Sequence, residues 1–138
     1  MNVLALTPDE SVVLVDQWRH GSGAFSLELP GGIPEKGEDD LEKAARRELK
    51  EETGYGCESM ERLLTLNPNP ALFGNGITTF LARGARPEGP VSFDENEETE
   101  LRLVSVPELR EIFLSGGFTH ALMAAPIGFF LAKWPRLP

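Results

Sequence analysis

Apolar, partly β-branched runs at positions 3–6 and 12–18, separated by the turn-like Thr7-Pro8-Asp9-Glu10, predict a pair of β-strands. Alternation at 25–29 predicts a third. Pro30-Gly31-Gly32 then breaks regular structure, and the loop lasts until Asp39 or Asp40, either of which is a good cap for a helix. That helix is expected over about 40–53, with Gly54 as its left-handed terminator. Further strands are predicted at 60–66, 77–82 and 101–106, and closing helices at 107–114 and 119–133. The apolar stretch 121–132 is interrupted by Pro126 and Gly128 and falls short of the ~20 residues of a spanning helix, so it reads as a core helix. The Gly-, Pro- and Arg-rich stretch 83–90 reads as a surface loop. Strands on either side of one strong helix, with no internal repeat, imply an α/β sandwich in a single domain over 1–138.

The helix at 40–53 carries the first chemical anomaly. At about 100° per residue, with Leu41 at zero, Ala44 and Ala45 lie beside Leu41, while Lys43, Arg46 and Lys50 point the opposite way. Glu48 and Glu52 fall within roughly 20° of Leu41, on the apolar side, and Glu51 sits at its edge. Glutamates are good helix formers and often only solvate a turn. Here, however, they face a core, which is costly without a compensating cation, and they gather at the helix C-terminus, where the macrodipole disfavours anions. A divalent cation answers both objections, because hard oxygen donors one turn apart suit Mg²⁺, with Mn²⁺ as the alternative. The loop before the helix adds Gly31, Gly32 and Gly37, which permit close approach to a ligand and positive φ.

Charge narrows the function further. The formal charge of -9 argues against a protein that binds nucleic acid by neutralising phosphates, and no basic stripe is present. More than half of the carboxylates fall in two clusters, 35–52 and 94–100. The lone Cys57 has no partner for an internal disulfide and reads as a small buried hydrophobe. The opening residues lack the pattern of a secretory signal, so a reducing cytoplasm, away from membranes, is the expected location.

The segment Gly32-Ile33-Pro34-Glu35-Lys36-Gly37-Glu38, followed by Arg47-Glu48-Leu49-Lys50-Glu51-Glu52-Thr53-Gly54-Tyr55, resembles the Nudix box, which here covers about 32–55. Eight residues separate Glu38 from Arg47 where the usual pattern has seven, and the extra one is expected near 39–43. The resemblance implies a Nudix-type α/β/α sandwich on a mixed β-sheet. It also implies Glu48 and Glu52 as metal ligands, Glu51 ligating or orienting a water, the Gly31 carbonyl as a backbone ligand, and an Arg47–Glu38 ion pair locking loop to helix. Gln17-Trp18-Arg19, Leu27-Glu28-Leu29-Pro30-Gly31 and the downstream Pro70 are similar to the ADP-ribose and ADP-sugar pyrophosphatase branch. By that likeness Arg19 contacts the substrate diphosphate, its fork matching phosphate oxygens in pairs, and Glu28 lies nearby. The branch usually carries an N-terminal strand extension that forms a homodimer and stacks aromatics on adenine. This chain starts almost directly with the catalytic domain, so base discrimination is expected to be poor, with Trp18 or Phe25 as candidate platforms.

The expected reaction is attack of metal-activated water on one phosphorus of a nucleoside diphosphate sugar, giving a nucleoside monophosphate and a sugar phosphate. Within the acidic cluster Glu95, Glu97, Glu98 and Glu100, Glu98 is the favoured base. Two rivals remain: a nucleoside triphosphate pyrophosphohydrolase, and a nucleotide-binding module without turnover. The strand motif ending in Arg19 speaks against the first, and the intact Glu48, Glu51 and Glu52 speak against the second.

Overall fold

The computed structural model describes residues 1–91 and 99–135. The chain runs β1 (Asn2–Leu6), β2 (Ser11–Arg19), β3 (Ala24–Glu28), α1 (Leu41–Thr53), β4 (Tyr55–Gly56), β5 (Ser59–Leu66), β6 (Ile77–Arg83), β7 (Arg86–Pro87), β8 (Thr99–Ser105), α2 (Val106–Leu114) and α3 (Ala121–Lys133). Among the described residues no helix is long and apolar enough to cross a membrane.

The main sheet has the order β3-β2-β1-β6-β5, with β8 also paired to β2. It is mixed, because β1 runs parallel to β6 while β1–β2, β2–β3, β2–β8 and β5–β6 are antiparallel. β1 explains the layering. It is buried along its whole length, and its side chains alternate between two cores as strand geometry requires. Val3 and Ala5 join Val13, Phe80 and Ala82 beneath Ala45 and Leu49 of α1. Leu4 and Leu6 join Leu14, Leu81, Ile127 and Phe130 on the face covered by α2 and α3. The result is the expected α/β/α sandwich.

α1 begins where a cap is available and ends where the backbone can reverse. Asp40 accepts from the amides of Glu42 and Lys43, and Gly54 takes φ 72 while its N–H bonds Lys50 O.

Three readings are corrected. The buried residues of α1 are Ala44, Ala45, Leu49 and Thr53, while Leu41 is only half-buried. The core direction is thus rotated roughly 60° toward Leu49, and Glu48 and Glu52 still fall within the buried side, between Ala44 and Ala45. Stretch 83–90 is not wholly a surface loop: β7 pairs with β4, and Ala85 is buried. Two-residue strands carry too little pattern to be read in advance. Cys57 is half-buried, and Arg46 Nη1 lies 3.1 Å from its sulfur; burial still pushes the thiol up, the guanidinium opposing it.

Candidate active site

The loop after β3 is laid against the start of β1. Val3 N donates to Pro30 O, Gly32 N donates to Met1 O, and Asn2 and Gly31 form an isolated bridge. The approach is close: a Cβ on Gly31 would stand 2.4 Å from Met1 O and 2.6 Å from Asn2 Cα. Glycine is required there by contact, not by φ, since Gly37 alone of Gly31, Gly32 and Gly37 has positive φ.

This loop meets α1 at the two glutamates the sequence singles out. Gly31 N donates to Glu52 Oε2 at 2.8 Å. A Cβ on Gly32 would lie 2.5 Å from Glu48 Oε1, so only glycine leaves room for that carboxylate. Glu48 and Glu52, one turn apart, thus touch adjacent residues of one loop. Burial pushes the Glu48 carboxyl up, with the Arg47 guanidinium pulling the other way.

Arg47 is the hub on the other side. Its Nη2 lies 3.0 Å from Glu38 Oε2 and 3.1 Å from Glu48 Oε1, and its Nη1 lies 2.7 Å from Glu51 Oε2. Glu38 lies before α1 and Glu51 on it, so the guanidinium ties loop to helix across the one-residue-longer spacing. It also holds the Glu38 carboxyl below the usual range.

The carboxylates pass a test for a divalent cation on donor type: Glu48, Glu51 and Glu52 offer hard oxygens around a loop that glycine keeps open. Among the described residues, no three His, Cys, Asp or Glu converge on a single point, because Arg47 and the Gly31 amide take carboxylate oxygens that a cation would take.

A cleft of about 610 Å³ opens over this loop, lined by Gly31, Gly32, Glu52, Arg19, Glu28 and Gln17 and by the apolar Leu29, Ile33, Ile77, Leu122 and Met123. Arg19 and Glu28 lie on the paired strands β2 and β3, opposite Ala24 and Val15 respectively, and their side chains meet along the pair. Arg19 Nε and Nη2 donate to Glu28 Oε1 and Oε2 at 2.8 and 2.6 Å, a bidentate pair in which the Glu28 side chain is 1% exposed. Burial alone would raise the Glu28 carboxyl, but Arg19, Ser26 and His120 hold it below the ordinary value. Sequence reading missed His120, whose Nδ1 lies 3.2 Å from Glu28 Oε2. Nothing in the chain's local pattern links positions 28 and 120. Of the acidic cluster, Glu95, Glu97 and Glu98 lie outside the described residues.

A family model described as the NUDIX domain matches residues 1–122. The chain belongs to the Nudix family. Its Nudix relatives include an ADP-ribose pyrophosphatase of Bacillus subtilis, 30% identical over 132 residues, which make up 95% of this chain and 71% of that protein. An ADP compounds hydrolase of Escherichia coli is 31% identical over 128 residues, 91% of this chain and 66% of the relative. A protein named methanol dehydrogenase activator, from Bacillus methanolicus, is 36% identical over 107 residues, 77% of this chain and 57% of the relative. The Nudix chain thus spans between 57% and 71% of these proteins' lengths. A crystal structure of an ADP compounds hydrolase superposes with a TM-score of 0.84 at 22% identity, over 97% of this chain and 71% of the other, which establishes the shared Nudix fold.

Proposed function

We propose that the chain hydrolyses the diphosphate bridge of ADP-ribose or a related nucleotide sugar in the presence of Mg²⁺, with Mn²⁺ as a substitute, giving a nucleoside monophosphate and a sugar phosphate. The observation that carries this reading is the Gly31–Gly32 loop resting on Glu48 and Glu52, beside a cleft that the loop, Glu52 and Arg19 all line. The names of the Bacillus subtilis and Escherichia coli relatives support the ADP-linked substrate class.

Glu48, Glu51, Glu52 and the Gly31 carbonyl are the groups that would hold the cation. When bound, such an ion lowers the pKa of a water and offsets charge on phosphoryl oxygens. Arg47 keeps Glu48 and Glu51 gathered and partly neutralised until then, while the Gly31 amide holds Glu52. Arg19 is held in one orientation by Glu28, so its guanidinium is fixed for the diphosphate at little entropic cost. Hydrolysis adds water to one phosphorus and breaks the bridging P–O bond, and the departing phosphate keeps the electron pair. Glu98 is proposed to accept the proton of the attacking water. A second copy of the chain is the proposed partner, supported by Leu101 and Leu103, exposed on one face of β8.

The test is a Mg²⁺-dependent screen of nucleotide sugars, dinucleotides, coenzyme A and triphosphates, with products identified. AMP and ribose 5-phosphate from ADP-ribose are the expected result. Conversion of triphosphates to monophosphate and pyrophosphate, with nucleotide sugars untouched, would replace the substrate assignment.

A further inference from the structure

Arg19 and Glu28 border a second hollow of about 540 Å³ as well as the cleft. Both volumes fall in the range of roughly 300–1,000 Å³ usual for small-molecule sites. Their linings differ in chemistry. The cleft has an apolar side made by Leu29, Ile33, Ile77, Leu122 and Met123. Among the described residues, the hollow is lined beyond the shared ion pair by Gly21 and by the side chains of His20, Ser22, Ser26, Thr119 and His120. The hydroxyls and imidazoles offer both donors and acceptors to a ligand covered in hydroxyl groups.

His120 is central to this lining. It is the N-cap of α3, yet its side chain makes no capping hydrogen bond. Instead Nδ1 reaches the buried Glu28 carboxylate. With Nδ1 turned toward Glu28, Nε2 is left to accept from a sugar hydroxyl or, in the imidazolium, to donate to a phosphate. The N-terminus of α3 begins at the same place, and the positive end of its dipole favours an anion there.

We propose that this hollow seats the sugar-phosphate arm of the substrate and that His120 selects it. The inference rests on the hydrolase reading above and adds which part of the substrate lies on which side of the Arg19–Glu28 pair. The chemistry served is a pentose phosphate, held by hydroxyl and imidazole contacts beyond the diphosphate.

Calorimetric titration of ribose 5-phosphate and of AMP against the wild type, His120→Ala and His120→Asn tests it without turnover. Ribose 5-phosphate is expected to bind the wild type and to lose about tenfold or more in both variants, the range for a lost hydrogen bond to a charged group, while AMP affinity falls much less. His120→Asn retains a donor for Glu28 but lacks Nε2, so it separates contact with the ligand from support of Glu28. Restored ribose 5-phosphate binding in His120→Asn, equal losses for both ligands, or a flat titration of the wild type would each overturn the proposal. If no nucleotide sugar is cleaved yet ribose 5-phosphate binds in a His120-dependent way, the hydrolase reading fails and the hollow stands. Cleavage of ADP-ribose with a flat titration means the reverse.

Discussion

Two glutamates of this chain are held in opposite electrostatic senses, and the difference is measurable. Glu28 is buried but paired with the Arg19 fork and His120, and its carboxyl sits below the ordinary value. A depressed folded-state pKa means stability that is fully present above the unfolded value, about 4.3, and is lost as pH falls through the folded one. Glu28→Gln is therefore expected to lower stability at neutral pH and to flatten the acid limb of a melting-temperature profile; an unchanged acid limb would remove Glu28 from the account. Glu48 is the opposite case, pushed up by burial despite Arg47. Its ionised form opposes folding once pH exceeds the unfolded value, so without divalent metal at neutral pH Glu48→Gln is expected to melt no lower than the wild type. A clear drop would show that its contact with Arg47 outweighs the burial cost. The sequence made Glu48 and Glu52 legible by angular position alone, whereas the Glu28–His120 contact was illegible because it joins residues 92 positions apart.

At the scale of elements, α1 was readable to within a residue because its period, its cap at Asp40 and its terminator at Gly54 agree. The core direction was misjudged because Leu41, taken as its centre, stands in the first turn and is only half-buried, while Leu49 faces β1 and β6. Two glycines separate stability from function here. A Cβ on Gly54 would meet Gly89 O at 2.4 Å at a φ of 72, so Gly54→Ala is expected to cost roughly 1–3 kcal/mol in denaturant unfolding. A Cβ on Gly32 meets only the far end of the Glu48 side chain, which can swing away. Gly32→Ala is thus expected to lose much of its turnover while losing less than about 1 kcal/mol, near the usual range of a surface substitution. Equal stability losses in the two variants would contradict this division. The segment before β8 carries the other functional expectation. Alanine replacements from 95 to 100 are expected to differ sharply, with Glu98 losing roughly 10²- to 10⁴-fold in kcat as a general base would. If every variant loses less than about tenfold, the attacking water needs no base from this segment.

Across the whole molecule, the sandwich follows from strands that feed two cores at once. β1 alternates Val3 and Ala5 toward α1 with Leu4 and Leu6 toward α3, which is why it reads as a continuous apolar run. Strand order was not legible, since β1 lies between β2 and the distant β6, a pairing that no local pattern announces. The same topology lays the Gly31–Gly32 loop against the start of β1 and onto α1, so the fold itself brings Glu52 to the cleft that Arg19 and Glu28 line. The central claim is that Glu48 and Glu52 act on a diphosphate through a divalent cation. Its most direct measurement is the Mg²⁺ dependence of ADP-ribose cleavage in the wild type, Glu48→Gln and Glu52→Gln, with melting curves recorded on the same samples. Metal-dependent cleavage by the wild type and near-complete loss in both variants, each still folding cooperatively, is the predicted result. Near-wild-type rates in the two folded variants would contradict it.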